Sequence, residues 1–105
     1  MKQYMMTYHA ACERLDRLTL IATYIGWGEV VLEYVDYKQQ ARISITNTGI
    51  LIVKSYDGSS VVTAYPARPL KLVSIYKAQG YARVPQYLFE KAAKNEHIMR
   101  KYGCH

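Results

Sequence analysis

The chain has 105 residues, half of them apolar and 21% charged, and a formal net charge of +6. That length suits one domain with one core, and the composition is that of a chain that folds rather than of a disordered tail. No apolar run approaches the roughly eighteen residues of a membrane span. Cys12 and Cys104 sit at opposite ends of the chain, unlike the dense framework of a small secreted scaffold. With no signal-peptide core after Met1, the expectation is a cytoplasmic protein with reduced thiols and no membrane partner.

The charge is unevenly distributed. Up to Tyr65 basic and acidic residues balance; beyond it Arg68, Lys71, Lys77, Arg83, Lys91, Lys94, Arg100 and Lys101 face only Glu90 and Glu96. The whole excess is therefore C-terminal. Such a field attracts phosphate-bearing polymers, although a solvated surface that keeps the chain soluble has the same composition.

From the N-terminus, Tyr4, Tyr8, Ala11, Leu15, Leu18, Ala22 and Ile25 alternate spacings of four and three, which predicts a helix with one apolar stripe. Gly26-Trp27-Gly28 ends it. The stretch 29–37 fits a helical face as well as a strand and is read as a strand. Residues 41–46, 50–56 and 61–65 are rich in β-branched and aromatic side chains and are separated by Asn47-Thr48-Gly49 and Asp57-Gly58-Ser59-Ser60, turns of hairpin composition. Pro66 and Pro69 close this meander. A short helix is expected over 70–78 and a last one from Pro85, with Leu88, Phe89, Ala92, Ala93 and Ile98 as its apolar stripe. The expected fold is α+β: an N-terminal helix, an antiparallel meander of three to four strands, and C-terminal helices, in one domain spanning 1–105.

Strand alternation places Ala41, Ile43 and Ile45 on an apolar face expected to pack on the N-terminal helix. Arg42, Ser44 and Thr46 lie on the other face, where Thr63 and Tyr65 are expected to join them as a polar site. The ordinary alternative is the solvated side of a half-buried sheet. His9, beside Glu13 and near Arg14 and Arg17, is the histidine best placed to move a proton at neutral pH; His97 reads as a surface residue and His105 as terminal. His9 and Cys12 have a helical ligand spacing, and Cys104 and His105 could add two donors, but the paired ligand loops of zinc modules are missing, so neither metal nor cofactor is expected. Phosphate-loop, dinucleotide, serine-elbow and HExxH signatures are absent as well.

A metal-free set of His, Arg, Thr and Tyr beside a basic surface suits RNA, which carries its own 2′-hydroxyl nucleophile. The enzyme need only remove that proton, protonate the leaving 5′-oxygen and stabilise the phosphorane. Some of the 11 tyrosines could stack unpaired bases.

His9-Ala10, Glu13-Arg14 and Arg17 on an early helix, followed by Thr48-Gly49-Ile50-Leu51-Ile52-Val53 and Val61-Val62-Thr63-Ala64-Tyr65-Pro66, resemble the barnase, EndoU, colicin and RelE group of small ribonuclease toxins over about residues 8 to 66. The resemblance implies a metal-independent endoribonuclease. His9 would be its general acid or base, Arg42 its phosphate clamp, Thr63 and Tyr65 its hydroxyl donors, and Thr46 a further member of the site. Some relatives carry a histidine on the sheet, and this meander has none. RNA (tRNA, messenger or ribosome-associated) is the implied substrate, held by Arg14, Arg17, Arg68, Lys71, Lys77, Arg83, Lys91 and Lys94, and an acidic antitoxin or immunity protein the implied inhibitor. The alternative is a non-catalytic RNA- or protein-binding regulator of phage or mobile-element type that uses its basic C-terminal helices.

Overall fold

The computed structural model describes residues 15–102. Helix α1 (Leu15–Leu20) widens into a π-helical turn (Ile21–Ile25) and stops at Gly26, whose φ of 88° no continuing helix adopts and whose N–H donates back to the Ile21 carbonyl at 2.7 Å. Four strands follow: β1 (Val30–Asp36), β2 (Ala41–Thr46), β3 (Ile50–Ser55) and β4 (Val61–Pro66). They pair antiparallel in chain order as a simple meander. Helices α2 (Pro69–Ala78) and α3 (Gln86–Tyr102) complete the α+β fold. The ambiguous stretch 29–37 is thus a strand. Pro69 takes the first turn of α2, where its missing N–H leaves no orphan.

The sheet is covered on both faces. Ile43, Ile45, Leu51 and Tyr65 pack with Leu72, Ile75 and Tyr76 of α2 and with Leu88 and Ala92 of α3. On the reverse face Ile21 and Ile25 of the π turn meet Ile50, Ile52 and Ala64. This corrects one expectation: the Ala41, Ile43, Ile45 face packs on the C-terminal helices, and the N-terminal helix takes the opposite face. On α3 the buried positions are Leu88, Ala92 and Asn95, whereas Phe89 and Ala93, expected in its apolar stripe, are exposed.

The β2–β3 turn holds the layers together. Thr46 is buried, and its hydroxyl accepts from the N–H of Ile50 at 3.2 Å and lies 3.0 Å from the Thr48 hydroxyl. Thr48 Oγ1 donates to the carbonyl of Gly26 at 2.7 Å, and the Asn47 side chain accepts from the N–H of Glu29 at 3.0 Å, so both ends of the Gly-Trp-Gly segment are fastened to the turn. From the other side Asn95, 2% exposed, donates Nδ2–H to the Thr48 carbonyl at 2.7 Å. Gly49 makes this close approach possible: its φ is 88°, and a Cβ there would lie 2.8 Å from Asn95 Nδ2. Gly26 has the same φ with nothing within 4 Å of the Cβ position.

The β3–β4 turn is closed by Asp57. Its carboxylate accepts from the N–H of Ser59 at 3.0 Å and from the hydroxyls of Ser55 and Ser59 at 2.7 and 2.8 Å. The Ser59 N–H and then the Ser55 hydroxyl stabilise the charged form and lower its pKa from 3.8 to about 2.

Gly49→Ala combines the left-handed penalty of about 1–2 kcal/mol with a clash against Asn95, whereas Gly26→Ala carries the backbone penalty alone; urea titration should show the first variant to be the less stable. A carboxylate with a depressed folded pKa stabilises above its unfolded value, and that contribution is lost as pH falls. An NMR titration should find Asp57 protonating near pH 2, and Ser55→Ala should move that midpoint up toward 3.8.

Candidate polyanion-binding cleft

The register decides which expected site residues can meet. Ile43 pairs with Val53 and Val53 with Thr63, while Ile45, Leu51 and Tyr65 form a second row. Directly paired residues share a face. Thr63 and Tyr65 therefore lie on the α2–α3 side, opposite Arg42, Ser44 and Thr46, and the five do not form one polar face as expected. Arg42 belongs instead to a reverse-face cluster with Ser44, Glu33 and Lys54. There the Ser44 hydroxyl donates to Glu33 at 2.7 Å and Lys54 Nζ lies 3.1 Å from the same carboxylate oxygen. These two hydrogen bonds, Ser44 first, lower the Glu33 pKa. Thr46 is committed to its turn. His9 and Arg14 lie outside the described residues, as do Cys12, Cys104 and His105.

What does come together is a cleft of about 520 Å³ at the end of β4. Tyr65, Pro66, Ala67 and Arg68 form one wall, Arg17 of α1 a second, and Glu96, Met99 and Arg100 of α3 a third. The Arg17 guanidinium carbon lies 6.0 Å from the centre of the Tyr65 ring, within range of a cation–π contact. Arg68 Nε approaches Glu96 Oε2 at 3.9 Å, a loose and exposed ion pair. Among the described residues, three arginines from three separate elements thus line this cleft together with Glu96.

A guanidinium offers a planar fork of donors that matches phosphate or carboxylate oxygens, and several around one cleft select a polyanion over a neutral ligand. Three residues singled out in the sequence, Arg17, Tyr65 and Arg68, share this site. Arg100 and Glu96 were not singled out; the available signal was their spacing of four, which places them one turn apart on a helix. Lys71 and Lys77 are exposed on α2 and Arg83 in the α2–α3 connection. Lys91 and Lys94 share a stripe of α3 with Lys101, displaced from Arg100 at about 100° per residue. The positive surface is therefore divided between the arginine cleft and a lysine stripe.

Among the described residues no three potential metal-ligating side chains lie together, and no helix is long and apolar enough to cross a membrane. Comparison with family models, curated proteins and solved structures gives no match to this chain.

Glu96 competes with any bound anion for Arg68. Removing that competitor while keeping the side-chain size should strengthen anion binding: Glu96→Gln is expected to tighten binding of a short RNA by about 2–5-fold, the range of an exposed ion pair, as read by fluorescence anisotropy at low salt.

Proposed function

We propose that the protein binds RNA and seats a backbone phosphate between Arg17, Arg68 and Arg100, with Tyr65 beside it. The convergence of three guanidinium groups on one cleft carries this reading. Tyr65 offers a ring against which an unpaired base can stack and a hydroxyl able to donate to a phosphate oxygen. The lysines of α2 and α3 supply the longer-range field that gathers the polymer.

A second reading, RNA cleavage, is favoured by one observation: Tyr65, a hydroxyl donor in the ribonuclease resemblance, shares its cleft with Arg17 and Arg68. In that reaction a base takes the 2′-hydroxyl proton and the 2′-oxygen bonds to phosphorus. The phosphorus–5′-oxygen bond then breaks and the leaving oxygen receives a proton, which gives a 2′,3′-cyclic phosphate and a 5′-hydroxyl. The guanidinium groups would stabilise the phosphorane, Tyr65 would donate a hydrogen bond to it, and His9 is the proposed acid or base. Arg42, on the reverse face of the sheet, has no part in this version, and Thr46 stays in its turn.

Anisotropy with single-stranded RNA tests binding. Arg17→Gln, Arg68→Gln and Arg100→Gln should each weaken it by roughly 3–10-fold, and each phosphate contact removed should lower the slope of log K against log salt by about 0.7. Unchanged affinity in all three variants would refute the cleft. For cleavage, wild-type protein should release cyclic-phosphate ends from RNA and leave a 2′-deoxy analogue intact, and Tyr65→Phe should slow the reaction. Bound but intact RNA would leave the binding reading alone standing.

A further inference from the structure

The sheet has two outer strands, and they differ in what lies against them. Beside β4, Arg17 spans from the groove of Val61 and Val62 to the arginine cleft, and Ala64 is buried. Strand β1 is open. The Asn47 N–H donates to the Glu29 carbonyl at 2.8 Å, and Leu32, Tyr34 and Asp36 pair with Ile45, Ile43 and Ala41, in phase with it along β2. By the alternation of an antiparallel ladder those residues turn their backbone groups toward β2, and Glu33 and Val35 turn theirs outward. Among the described residues no group bonds to the outward N–H or carbonyl of either. Outer strands are usually blunted by proline, bulges or unpaired charge. Here the bulge lies at the start of the strand, between Val30 and Leu32, and leaves residues 32–36 regular and without proline. Both acids of that run are engaged within the chain: Glu33 by Ser44 and Lys54, Asp36 by the N–H groups of Lys38 and Gln39.

We infer that β1 is the seam of a two-fold dimer, in which a second copy of this chain adds its own β1 antiparallel and the two sheets become one. The register follows from the strand. Tyr34 is the midpoint of the regular run, so a two-fold axis there sets Glu33 opposite Val35 of the second copy, and Val35 opposite its Glu33. Both pairs use outward-facing groups, and each pair exchanges both of its N–H···O bonds. An axis at Glu33 would place like charges directly opposite, and one at Val35 would carry the outer pairs into the turn after Asp36. The axis at Tyr34 also matches apolar ends: Val31, 45% exposed, comes level with Tyr37, 74% exposed, at each end of the seam. On the α2 side, Tyr34 meets its symmetry mate beside a cavity of about 420 Å³ that Ser74, Ile75 and Ala78 also line. Ser74 and Ala78 are small, which leaves room for a second α2 alongside. Self-matching of charge, apolar ends and hydrogen-bonding phase about one residue selects a second copy over an unrelated strand. The two β4 strands then lie seven strand spacings apart, about 34 Å at 4.8 Å each, with an arginine cleft at either end. Dimerisation stands independently of RNA binding; bivalent capture of RNA rests on that reading.

Sedimentation equilibrium of the full chain should show a mass that rises with concentration from that of one chain toward that of two. Amide exchange at Glu33 and Val35 should slow at least about tenfold between dilute and concentrated samples. In a mixture of isotope-labelled and unlabelled protein, an NOE should join the Tyr34 Hα protons of the two copies, which a non-hydrogen-bonded antiparallel pair brings together. Val35→Pro removes a donor that the single chain does not use, so the variant should keep its circular dichroism spectrum and dimerise at least about tenfold more weakly. A chain that stays monomeric at millimolar concentration would overturn the proposal. So would a dimer whose Glu33 and Val35 amides exchange unchanged, a dimer without the Tyr34 NOE, or a folded Val35→Pro variant that dimerises as wild type does. The measurements on the unaltered chain decide the matter even if that variant fails to fold. An RNA that spans both clefts should bind wild-type protein at least about tenfold more tightly than one that reaches a single cleft, a gain that Val35→Pro loses. A dimer without RNA affinity removes the RNA reading alone, and RNA affinity in a chain that stays monomeric removes this one alone.

Discussion

The buried hydrogen bond from Asn95 to the Thr48 carbonyl organises this molecule. An amide side chain in a helix core is costly unless paired, and a turn carbonyl beneath a packed helix is equally costly. Each satisfies the other, at 2.7 Å. The pairing fixes the height and rotation of α3 above the sheet, because Gly49 lets the helix backbone descend onto the turn and Asn95 locks it there. The same turn grips the Gly26 carbonyl through the Thr48 hydroxyl. One turn therefore positions the helical segments on both faces of the sheet.

The arginine cleft is a consequence of that arrangement. Arg17 arrives from α1, Arg100 from the far end of α3, and Arg68 from the exit of β4, three places distant in sequence. They converge because α1 and α3 lie on opposite faces of the sheet and both reach β4. Glu96 lies 3.9 Å from Arg68 at the rim of the cleft. The lysine stripe of α3 sits outside the cleft and adds field without geometry.

Much of the fold was legible in the sequence. β-Branched runs, two hairpin turns and two prolines, Pro66 and Pro69, mark the meander to within a residue at most ends, and the four-and-three spacing marks the first helix over its described part, Leu15 to Ile25, the stretch from Tyr4 lying outside the described residues. The faces were harder. Alternation along one strand is readable from its residues, but the phase between neighbouring strands depends on the turns and on the bulge near Val61 and Val62. One residue of slip moves Thr63 and Tyr65 from the side of Arg42 to the side of Ile43. The apolar face of β2 could also not name its partner, since helices cover both faces. Asn95 gave no apolar signal, so the stripe of α3 was drawn through Phe89 and Ala93 instead. Arg17, Tyr65 and Arg68 emerged as candidates for separate reasons, and only the packing of α1 and α3 against β4 brings them to one place.

The cleft is the centre of the functional account, and side-chain NMR of the arginines tests it most directly. On titration with a short single-stranded RNA, the Nε–Hε resonances of Arg17, Arg68 and Arg100 should shift together, at the lowest RNA concentrations and with one common affinity. Early shifts confined to Lys91, Lys94 and Lys101, with the three arginines unmoved, would place binding on the lysine stripe and contradict the account.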